Sequence, residues 1–552
     1  MKRRSDTKQK PPFSLYNGIL NVYKEKGCTS MDVCARLRKM LGLRKAGHAG
    51  TLDPMAEGVL PVALGTATKD IDRIGSERKT YRAGLLLGLS TDTLDITGRE
   101  TACFEGTFPD EESVRAAVMS FLGAYEQLPP LYSAKQVEGK RMYQLARKGI
   151  EVERKAVPVE IYSVEINEIS LPHVVFTVCC SKGTYVRSLC DDIGRKLGCP
   201  ACMESLVRLS TGGFRAEDAL RLDEIEALHR KGELDEKLTV LSPTVLCLGK
   251  FDGAHTGHQY LFRALKRWAD QHGRWKTLVL MLYSGTQELA DPMETKRRLY
   301  AMGIHYVIRR RLTEEMRAMS AEDFLKDVLI GEYKMQAIVA GSDVSFGYGR
   351  EGNARFLEEH AASLGYEVKI IEKLQMTLGD ETGEVSSSRV RSELSAGNME
   401  FAARLLGHPF SVKGRVIHGE HIGTGSLGVP TLNLKLPEGA VLPPDGVYAV
   451  EAVLKDKLPY AASERRLPGI ADLGVKPTVH DPEKQERLLE THLFDFSEEL
   501  YGEEIRVELL HFLRPEQLFP SLDALREQIR ETDIPAAKRY FEQKQLDSCG
   551  NL

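Results

Sequence analysis

The pattern of apolar and polar positions divides the chain into three stretches. In the first stretch, the apolar runs at 80–89 (TYRAGLLLGL) and 174–180 (VVFTVCC) predict buried strands. Residues 217–238 are highly charged but keep apolar residues at helical spacing, which predicts a helix. Ser242 and Pro243 then indicate a turn or linker. We therefore place the first domain boundary near residue 240.

The second stretch alternates strands with helices. TVLCLG at 244–249 predicts a strand, KFDGAHTGH a glycine-containing loop, and QYLFRALKRWADQHG at 259–273 an amphipathic helix. Further strands are predicted at 277–282, 305–310 and 336–341. Strands that alternate with helices are typical of a parallel α/β sheet.

The third stretch, from about residue 410, consists of short alternating runs between Gly and Pro turns. The runs are RVIHG, PTLNLKL, GVYAVEAVL, THLFDF and IRVELLHFL, and together they predict a β-barrel or sandwich. A helical stretch at 521–543 follows them.

Composition is that of an ordinary globular protein. The 552 residues are 42% hydrophobic and 28% charged, which argues against disordered, collagen-like and coiled-coil classes. The length suggests about three or four domains. No apolar run approaches the ~18–20 residues that cross a bilayer. The start, MKRRSDTKQKPPF, has no apolar stretch behind it, which argues against a cleaved secretory signal. We expect a cytoplasmic protein.

Charge differs between the two parts of the chain. Residues 1–213 contain 31 Lys and Arg against 25 Asp and Glu, whereas the remainder contains 44 against 54. This asymmetry indicates different partners, with a polyanion such as nucleic acid favoured for the front part.

The ten cysteines are too widely spread for a disulfide framework. Cys199 and Cys202 form one CxxC, but a four-ligand zinc site needs a second pair at suitable spacing. We expect these two residues to pack in the interior, with a metal or redox role as the alternative.

The first chemical motif is the glycine-rich segment 47–65, GHAGTLDPMAEGVLPVALG. Asp53 precedes Pro54, which is typical of a helix N-cap followed by proline at the first helical position. Alternatively, the glycines allow a bulky ligand to approach, and Asp53 acts as a nucleophile.

This segment closely resembles the catalytic segment of the tRNA pseudouridine synthase B (TruB) family. Four further motifs match in order: NGILNVYKEKGCTSMDV, KTYRAGLLLGLSTDTLDITG, PPLYSAKQVEGKRMYQLARKG and CSKGTYVRSLCDDIGRKLGC. The resemblance covers about residues 13–235 and implies isomerisation of the uridine at position 55 in the tRNA T-loop. TruB proteins usually continue into a small RNA-binding domain, whereas here the similarity ends with the charged helix.

The resemblance also implies roles for individual residues. Asp53 would be the essential aspartate that initiates breakage of the glycosidic bond, and Arg187 would pair with it. Residues that would contact the base, wall its pocket or support the flipped-out nucleotide are His48, Tyr81, Tyr185 and Leu206. The base must leave its stack before this chemistry can occur. The resemblance implies no metal or redox cofactor for this reaction.

The second motif is GKFDGAHTGH, which holds His255 and His258 in a loop between a strand and a helix. Such a loop favours phosphate, and the histidines can donate to charge that develops on it. A metal site is the alternative, with Asp252 as the nearby acidic partner.

The segment resembles the HxGH nucleotidyltransferases, and most closely the bifunctional riboflavin kinase/FMN adenylyltransferase (RibF) family. AGSDVSFGYGREGN, which contains Asp343, and VSSSRVR resemble further motifs of that family. By this resemblance, Ser387, Ser388 and Arg391 would meet ATP phosphates. The family's TFxPHP segment is absent, and its long loop is shortened. The domain therefore either makes FAD or has lost that reaction and serves as a scaffold or nucleotide sensor.

The third motif alternates Thr431 with Asn433 on one predicted strand, and Glu490 with His492 on another. Such residues are compatible with edge polar positions of a barrel. SLGVPTLNL and ETHLFDF also resemble the riboflavin kinase motifs of the RibF family. By that resemblance, Thr431 and Asn433 bind Mg-ATP, and Glu490 deprotonates the riboflavin 5′-hydroxyl. The family's Gly-Arg-x-Leu-Gly reads GTGSLG here, so a basic residue near the phosphates is missing.

We therefore predict a multidomain protein of the α+β and α/β classes. Its predicted parts are a basic tail at 1–12, a pseudouridine synthase fold with a mixed sheet and helices at 13–240, a Rossmann-like HxGH nucleotidyltransferase domain at 241–400, and a riboflavin kinase β-barrel with a terminal helix at 401–546.

The predicted partners are tRNA, riboflavin, FMN and ATP, with neither a membrane nor an obligate protein partner. The flavin part would use ATP and Mg²⁺, with FMN and FAD as products rather than cofactors. As an alternative, the front part is an RNA-binding folding helper whose catalysis is dispensable.

Overall fold

The computed structural model describes most of the chain in segments. The described residues are 14–75, 78–132, 136–137, 140–141, 154–285, 287–417, 431–437, 439–455, 464–478 and 481–549. The chain divides into two compact units: one is Tyr16–Leu241, and the other is Ser242–Leu552 together with Ser14 and Leu15. We call them the N-terminal unit and the C-terminal unit. None of the described helices is long and apolar enough to span a membrane.

The N-terminal unit contains many short strands and a few helices. Its strands are β1 Gly18–Lys24, β2 Ala46–His48, β3 Glu57–Leu64, β4 Lys79–Leu87, β5 Leu89–Thr91, β6 Glu100–Cys103, β7 Gly123–Gln127, β8 Gln136–Val137, β9 Lys140–Arg141, β10 Val157–Ser170, β11 His173–Cys180, β12 Ala201–Thr211, β13 Phe214–Arg215 and β14 Leu238–Thr239. Its helices are α1 Ser30–Met40, α2 Ile71–Gly75, α3 Glu111–Met119, α4 Val186–Leu197 and α5 Leu222–Lys231.

A ten-stranded mixed sheet forms the centre of this unit. Its main path runs β14-β1-β3-β12-β4-β11-β10-β7, with β13 on β12 and β2 on β3. The pairing of β3 with β12 is parallel, whereas β4 pairs antiparallel with β11 and β12. The buried strands predicted near 80–89 and 174–180 are confirmed as β4 and β11. Apolar side chains of these strands pack with those of α3 and α4 in one core.

Cys199 and Cys202 lie in the interior of this unit, at 1% and 0% exposure. That position is the one expected of packing residues. Among the residues that the structure describes, no group of His, Cys, Asp and Glu could hold a metal ion.

The first part of the C-terminal unit is a five-stranded parallel sheet with flanking helices. Its strands are β15 Thr244–Gly249, β16 Lys276–Tyr283, β17 Tyr306–Arg311, β18 Met335–Gly341 and β19 Glu367–Ile371, and the hairpin β20 Gln375–Leu378 with β21 Glu381–Glu384 follows. Its helices are α6 Thr256–His272, α7 Pro292–Ala301, α8 Glu314–Ala318, α9 Ala321–Asp323, α10 Ala354–Leu364, α11 Ser387–Ser395 and α12 Met399–Leu406. The order β17-β16-β15-β18-β19 confirms the predicted parallel sheet.

The second part of this unit is a closed six-stranded barrel. Its strands are β22 Phe410–Ile417, β23 Leu432–Lys435, β24 Gly446–Lys455, β25 Glu464–Thr478, β26 Asp481–Leu493 and β27 Glu504–Pro515, and the helices α13 Leu522–Glu527 and α14 Ile534–Cys549 follow. The strands close in the order β22-β23-β26-β25-β24-β27. The barrel and the late helix are both as predicted.

Helix α12 belongs to the interior of both parts of the C-terminal unit. Met399, Ala402 and Leu405 are fully buried in a core that also contains the inner side chains of the barrel. The predicted boundary between residues 400 and 401 lies within this helix. The Thr256 hydroxyl of α6 donates to the Leu405 carbonyl at 2.9 Å, so α12 also holds the start of α6.

Candidate active sites

Asp53 lies in a loop between β2 and β3. No helix begins at Pro54, so the N-cap interpretation of Asp53 is wrong. The Asp53 side chain is 37% exposed, which leaves it accessible from outside. A carboxylate held at the surface of a loop by its neighbours is suited to act on a bound molecule.

Arg187 holds the Asp53 carboxylate from the first turn of α4. Its Nη2 lies 2.9 Å from Asp53 Oδ2, and its Nη1 lies 3.6 Å from Asp95 Oδ2. The same guanidinium donates to the carbonyls of Thr93 and Tyr132, at 3.1 and 3.0 Å. Burial raises the pKa of Asp53, and Arg187 opposes that rise. The guanidinium is therefore fixed on several sides and favours the ionised form of Asp53.

Two buried polar side chains hold the backbone around Asp53. Ser30 Oγ accepts from the Leu52 N–H at 2.9 Å and donates to the Leu52 carbonyl at 3.1 Å. The Lys24 ammonium, on a fully buried residue, donates to the Ala56 carbonyl at 2.6 Å. Burial lowers the pKa of Lys24. Sequence reasoning missed both residues, although both lie in the quoted segment NVYKEKGCTSMDV.

Tyr81 and Leu206 lie on neighbouring strands beside this loop. They are 7% and 8% exposed and belong to the same apolar core as Leu52 and Met55, which flank Asp53. Burial raises the pKa of Tyr81, which keeps its hydroxyl protonated. The structure therefore brings Asp53, Arg187, Tyr81 and Leu206 together.

Arg208, which sequence reasoning also missed, lies opposite Tyr81 in the β4–β12 pairing. It is fully buried, and its guanidinium donates to the carbonyls of Val59 and Gly50, at 2.7 and 3.1 Å. These bonds tie β12 to both ends of the segment that contains Asp53. A buried arginine in a strand has no local sequence signal for this role.

Tyr185 and His48 lie at two other edges of the same region. The Gln127 side chain accepts from the Tyr185 N–H at 2.8 Å and donates to the Tyr185 carbonyl at 3.1 Å. This pair of bonds fixes the residue that precedes α4, and thereby Arg187 two residues later. His48 is half-buried at the end of β2, where the loop to Asp53 begins.

His255 and His258 form the second candidate site, at the start of α6. Their rings stack with centroids 3.6 Å apart, and His255 Nδ1 accepts from the His258 N–H at 3.4 Å. Burial lowers the pKa of His255 to about 4. Burial, together with the neighbouring His255, also lowers the pKa of His258. Both imidazoles are therefore neutral near pH 7 and can donate hydrogen bonds without adding charge.

Arg391 lies against Asp252 rather than in open space. Its Nη2 is 2.6 Å from Asp252 Oδ2 and 2.9 Å from the Gln287 carbonyl. The other Asp252 oxygen accepts from the Leu289 N–H at 2.6 Å. The shortened loop after β16 is thus bound to the residues that flank the histidines.

The predicted phosphate-binding serines lie close to the same loop. Ser387 donates to the Asp252 carbonyl at 3.3 Å, and Ser388 is the next residue of α11. A Cβ placed on Gly257 would lie 3.2 Å from the Val385 carbonyl, so the starts of α6 and α11 are adjacent. Asp343 is 65% exposed and lies 3.3 Å from the Lys373 ammonium.

The third candidate site lies on the outside of the barrel. Asn433 on β23 is the direct register partner of Glu490 on β26, and Glu490 is in turn opposite Asp472 on β25. Directly opposed residues of antiparallel strands share a face. Thr431 immediately precedes β23 and is half-buried. The GTGSLG segment lies outside the described residues.

Asn433 provides a test of whether a cation would fit this site. The residue is 8% exposed, and within the described part of the chain its Oδ1 has no hydrogen-bond partner. An amide oxygen beside a hydroxyl and a carboxylate is a donor set that suits Mg²⁺. The residues present therefore fit a magnesium ion.

Comparison with known proteins identifies the N-terminal unit. The family model for the TruB family pseudouridylate synthase (N terminal domain) matches residues 38–186, and that for the tRNA pseudouridylate synthase B C-terminal domain matches 187–249. tRNA pseudouridine synthase B of Clostridium tetani (strain Massachusetts / E88) is 50% identical over 209 residues, which are 38% of this chain and 72% of that protein. The chain belongs to the TruB family. The same protein of Clostridium kluyveri is 48% identical over 211 residues, 38% of this chain and 73% of that protein.

The TruB similarity reaches residue 249. This match overlaps that of the FAD synthetase model, which begins at residue 237, and residues 242–249 lie in the C-terminal unit. The fold is similar to the solved structure of a macrolide-efflux protein from Streptococcus pneumoniae. The two overlap over 55% of this chain and 96% of that chain, with 26% sequence identity and a TM-score of 0.48.

The C-terminal unit matches two further families. The family model for FAD synthetase covers residues 237–389, and that for riboflavin kinase covers 406–541. This TruB family member therefore joins a pseudouridine synthase to riboflavin kinase and FAD synthetase domains. It is an enzyme that combines isomerase and ATP-using transferase activities.

Proposed function

We propose that the N-terminal unit converts uridine 55 in the T-loop of tRNA to pseudouridine, with Asp53 as the essential carboxylate. The observation that carries this proposal is the Arg187–Asp53 ion pair at 2.9 Å. It is supported by the clamped backbone on both sides of Asp53 and by the relatives, which are named tRNA pseudouridine synthase B.

Each residue of this site has a distinct task in the proposed reaction. Asp53 initiates breakage of the bond between C1′ and N1, and the base then rotates and bonds to C1′ through C5. C5 loses its proton and N1 gains one, so the atoms of the base are conserved. Tyr81, Tyr185 and Leu206 wall the space for the base, and His48 supports the nucleotide that has left its stack. Removing a base from its stack costs on the order of a few kcal/mol, and contacts of this kind offset that cost.

Asp53→Asn tests this proposal, because it keeps the shape of the side chain and removes its charge. We expect pseudouridine, measured by chromatography of digested tRNA, to fall at least about a thousandfold while tRNA binding persists. Pseudouridine formed by the variant at the wild-type rate would refute the catalytic role and favour the folding-helper alternative. If the wild-type protein modified a uridine outside the T-loop instead, only the proposed position in tRNA would be refuted.

For the barrel, we propose that Thr431 and Asn433 hold Mg²⁺ with ATP and that Glu490 takes the proton of the riboflavin 5′-hydroxyl. The unpartnered, buried oxygen of Asn433 next to Glu490 supports this assignment. The ion would neutralise charge on the phosphates. A Glu490→Gln variant that forms FMN at the wild-type rate would refute the role of Glu490.

For the parallel sheet, we propose that the neutral pair His255 and His258 binds charge on the ATP phosphates while FMN is adenylylated to FAD. Ser387, Ser388 and Asp343 lie on the neighbouring segments and complete this assignment. A second candidate is a domain that only senses or scaffolds nucleotides. The Arg391–Asp252 contact at 2.6 Å favours this second candidate, because it engages the arginine predicted to meet phosphate.

A single product assay separates these candidates. Purified full-length protein is incubated with riboflavin, ATP and Mg²⁺, and the flavins are separated by chromatography. FMN followed by FAD supports both reactions and refutes the sensor candidate. FMN alone refutes FAD synthesis, and the absence of both products refutes the kinase as well. We also propose that the protein acts in the cytoplasm, because that is where tRNA and these substrates would meet.

A further inference from the structure

A cavity of about 440 Å³ opens on the N-terminal unit apart from the residues around Asp53. Its walls come from β1, from α2, from the turn between β12 and β13, and from the segment that contains β14. That volume lies within the ~300–1,000 Å³ of small-ligand sites. The proposed chemistry of Asp53 does not use any residue that lines it.

The rim of the cavity is cationic. Arg73, Arg215 and Lys237 line it, with Asp218 as the one acidic residue of the lining. Arg73 lies 3.9 Å from Asp70, and Arg215 lies 3.2 Å from Glu217. The Arg215–Glu217 pair is 70% exposed at both ends, and the Arg73 end of the other pair is 58% exposed, so both guanidinium groups remain accessible to an incoming anion.

The floor of the cavity is apolar, and one wall is bare backbone. Ile74 and Phe214 are buried at 4% and 9% exposure and belong to one small core that Leu241 also contacts. Gly212 and Gly213 form the adjoining turn, and a Cβ on Gly213 would meet nothing within 4 Å. A flat apolar group can therefore lie over Phe214 with an anionic group at the rim.

We infer that this cavity binds a nucleotide, with its base over Ile74 and Phe214 and its phosphate among Arg73, Arg215 and Lys237. Base contact with apolar or aromatic side chains next to cations is how unpaired nucleotides are held without sequence readout. The nucleotide can belong to the RNA substrate or be free in solution. The observations favour RNA, because the cavity lies on the unit that belongs to the TruB family. This inference goes beyond the proposed function, since it concerns a second contact rather than the reacting base.

Two variants of the full-length protein test the inference. R73A/K237A removes two rim charges. G213E adds an opposing charge and bulk in open space, where no backbone strain is expected. R230A/K231A is the matched control, because it removes the same charge from α5 in the same unit, outside the cavity. The equilibrium dissociation constant for unmodified tRNA is measured by filter retention at several salt concentrations.

We expect R73A/K237A to weaken tRNA binding about tenfold and to reduce the slope of log Kd against log salt by about 1–2. G213E should weaken binding as well, and the control should bind like the wild type. AMP and UMP are titrated in parallel. If they bind the wild type but not the variants while tRNA binding is unchanged, the nucleotide is a free one.

Two results would overturn the inference. The variants could bind tRNA and both mononucleotides as the wild type does. Alternatively, the control could weaken tRNA binding as much as R73A/K237A does, which would show that the loss of affinity comes from net charge and not from the cavity. Because binding rather than isomerisation is measured, failure of the T-loop proposal would leave this test intact.

Discussion

The Arg187 guanidinium lies 2.9 Å from the Asp53 carboxylate, although the two residues are far apart in sequence. Arg187 is only 7% exposed and is fixed by two backbone carbonyls in addition to its acidic partners. Its charge therefore acts on Asp53 from a constant position. The ionisation of Asp53 depends on that charge because burial alone works in the opposite direction.

Arg187→Gln should move the acid limb of the pseudouridine pH profile to higher pH. Burial already raises the pKa of Asp53, and removing the opposing cation raises it further. The ionised fraction of Asp53 is then lost at a higher pH as the pH falls. The measurement is kcat/KM for tRNA between pH 5 and 9. An unchanged acid limb would show that Asp53 does not titrate in this step.

Lys24→Met should lower the rate of pseudouridine formation without altering riboflavin phosphorylation. The substitution keeps the buried stem but leaves the Ala56 carbonyl without its donor, so the Asp53 loop shifts. A displacement of about 1 Å in such a site costs roughly a hundredfold in rate. The control is Lys26→Met, at an exposed lysine in the turn that follows β1. Equal rates for Lys24→Met and its control would rule out the positioning role.

Gly58→Ala should destabilise the N-terminal unit strongly. Gly58 has φ of +104°, and a Cβ there would lie 2.3 Å from the Arg208 carbonyl oxygen, where β3 and β12 approach each other. We expect a loss of more than about 3 kcal/mol from strain and the displaced backbone together. Gly42→Ala is the control, because Gly42 also has positive φ but its Cβ would meet nothing within 4 Å.

The difference is measured by thermal unfolding of the full-length variants, with limited proteolysis used to monitor unfolding of the N-terminal unit. The control should lose only about 1 kcal/mol, which is the cost of the left-handed conformation alone. Similar losses of stability in both variants would mean that the close approach of β3 and β12 at Gly58 does not make the substitution more costly.

His255→Asn should lower FAD formation from FMN about a hundredfold or more while FMN formation from riboflavin continues. Because the pKa of His255 is about 4, its protonation should not change the rate of FAD formation between pH 6 and 8. Both rates come from one chromatographic assay, so the kinase is an internal control. A rate that rises below pH 7 would contradict a neutral His255.

Much of the fold follows from local patterns. The strands of the parallel sheet and most strands of the barrel stand out as apolar runs between turn residues. Strand β25 was not predicted, because Pro468, Gly469 and Gly474 interrupt its alternation. Prolines and glycines normally argue against a strand interior, but the closed barrel supplies partners on both sides of β25.

The candidate sites were predictable only where a motif carries the chemistry. Asp53, Arg187, Asn433 and Glu490 stand in such motifs, and the structure brings each pair together. The supporting hydrogen bonds join residues that are distant in sequence: Ser30 bonds to Leu52, and Gln127 bonds to Tyr185. No period or spacing along the chain encodes such bonds. Arg391 was predicted to face ATP, but it contacts Asp252, which also accepts from the Leu289 N–H in the loop after β16.

Helix α12 also limits how this protein can be divided. Its buried residues join the interior of the barrel to the helices of the parallel sheet, and its end holds the start of α6. A gene fragment cut near codon 400 would leave each half with an uncovered apolar surface, which favours aggregation. Recombination is therefore expected to transfer the two flavin domains as one block. A crossover between Leu241 and Ser242 leaves α12 whole, but it also separates Leu15 from the core of the parallel sheet, against which Leu15 packs.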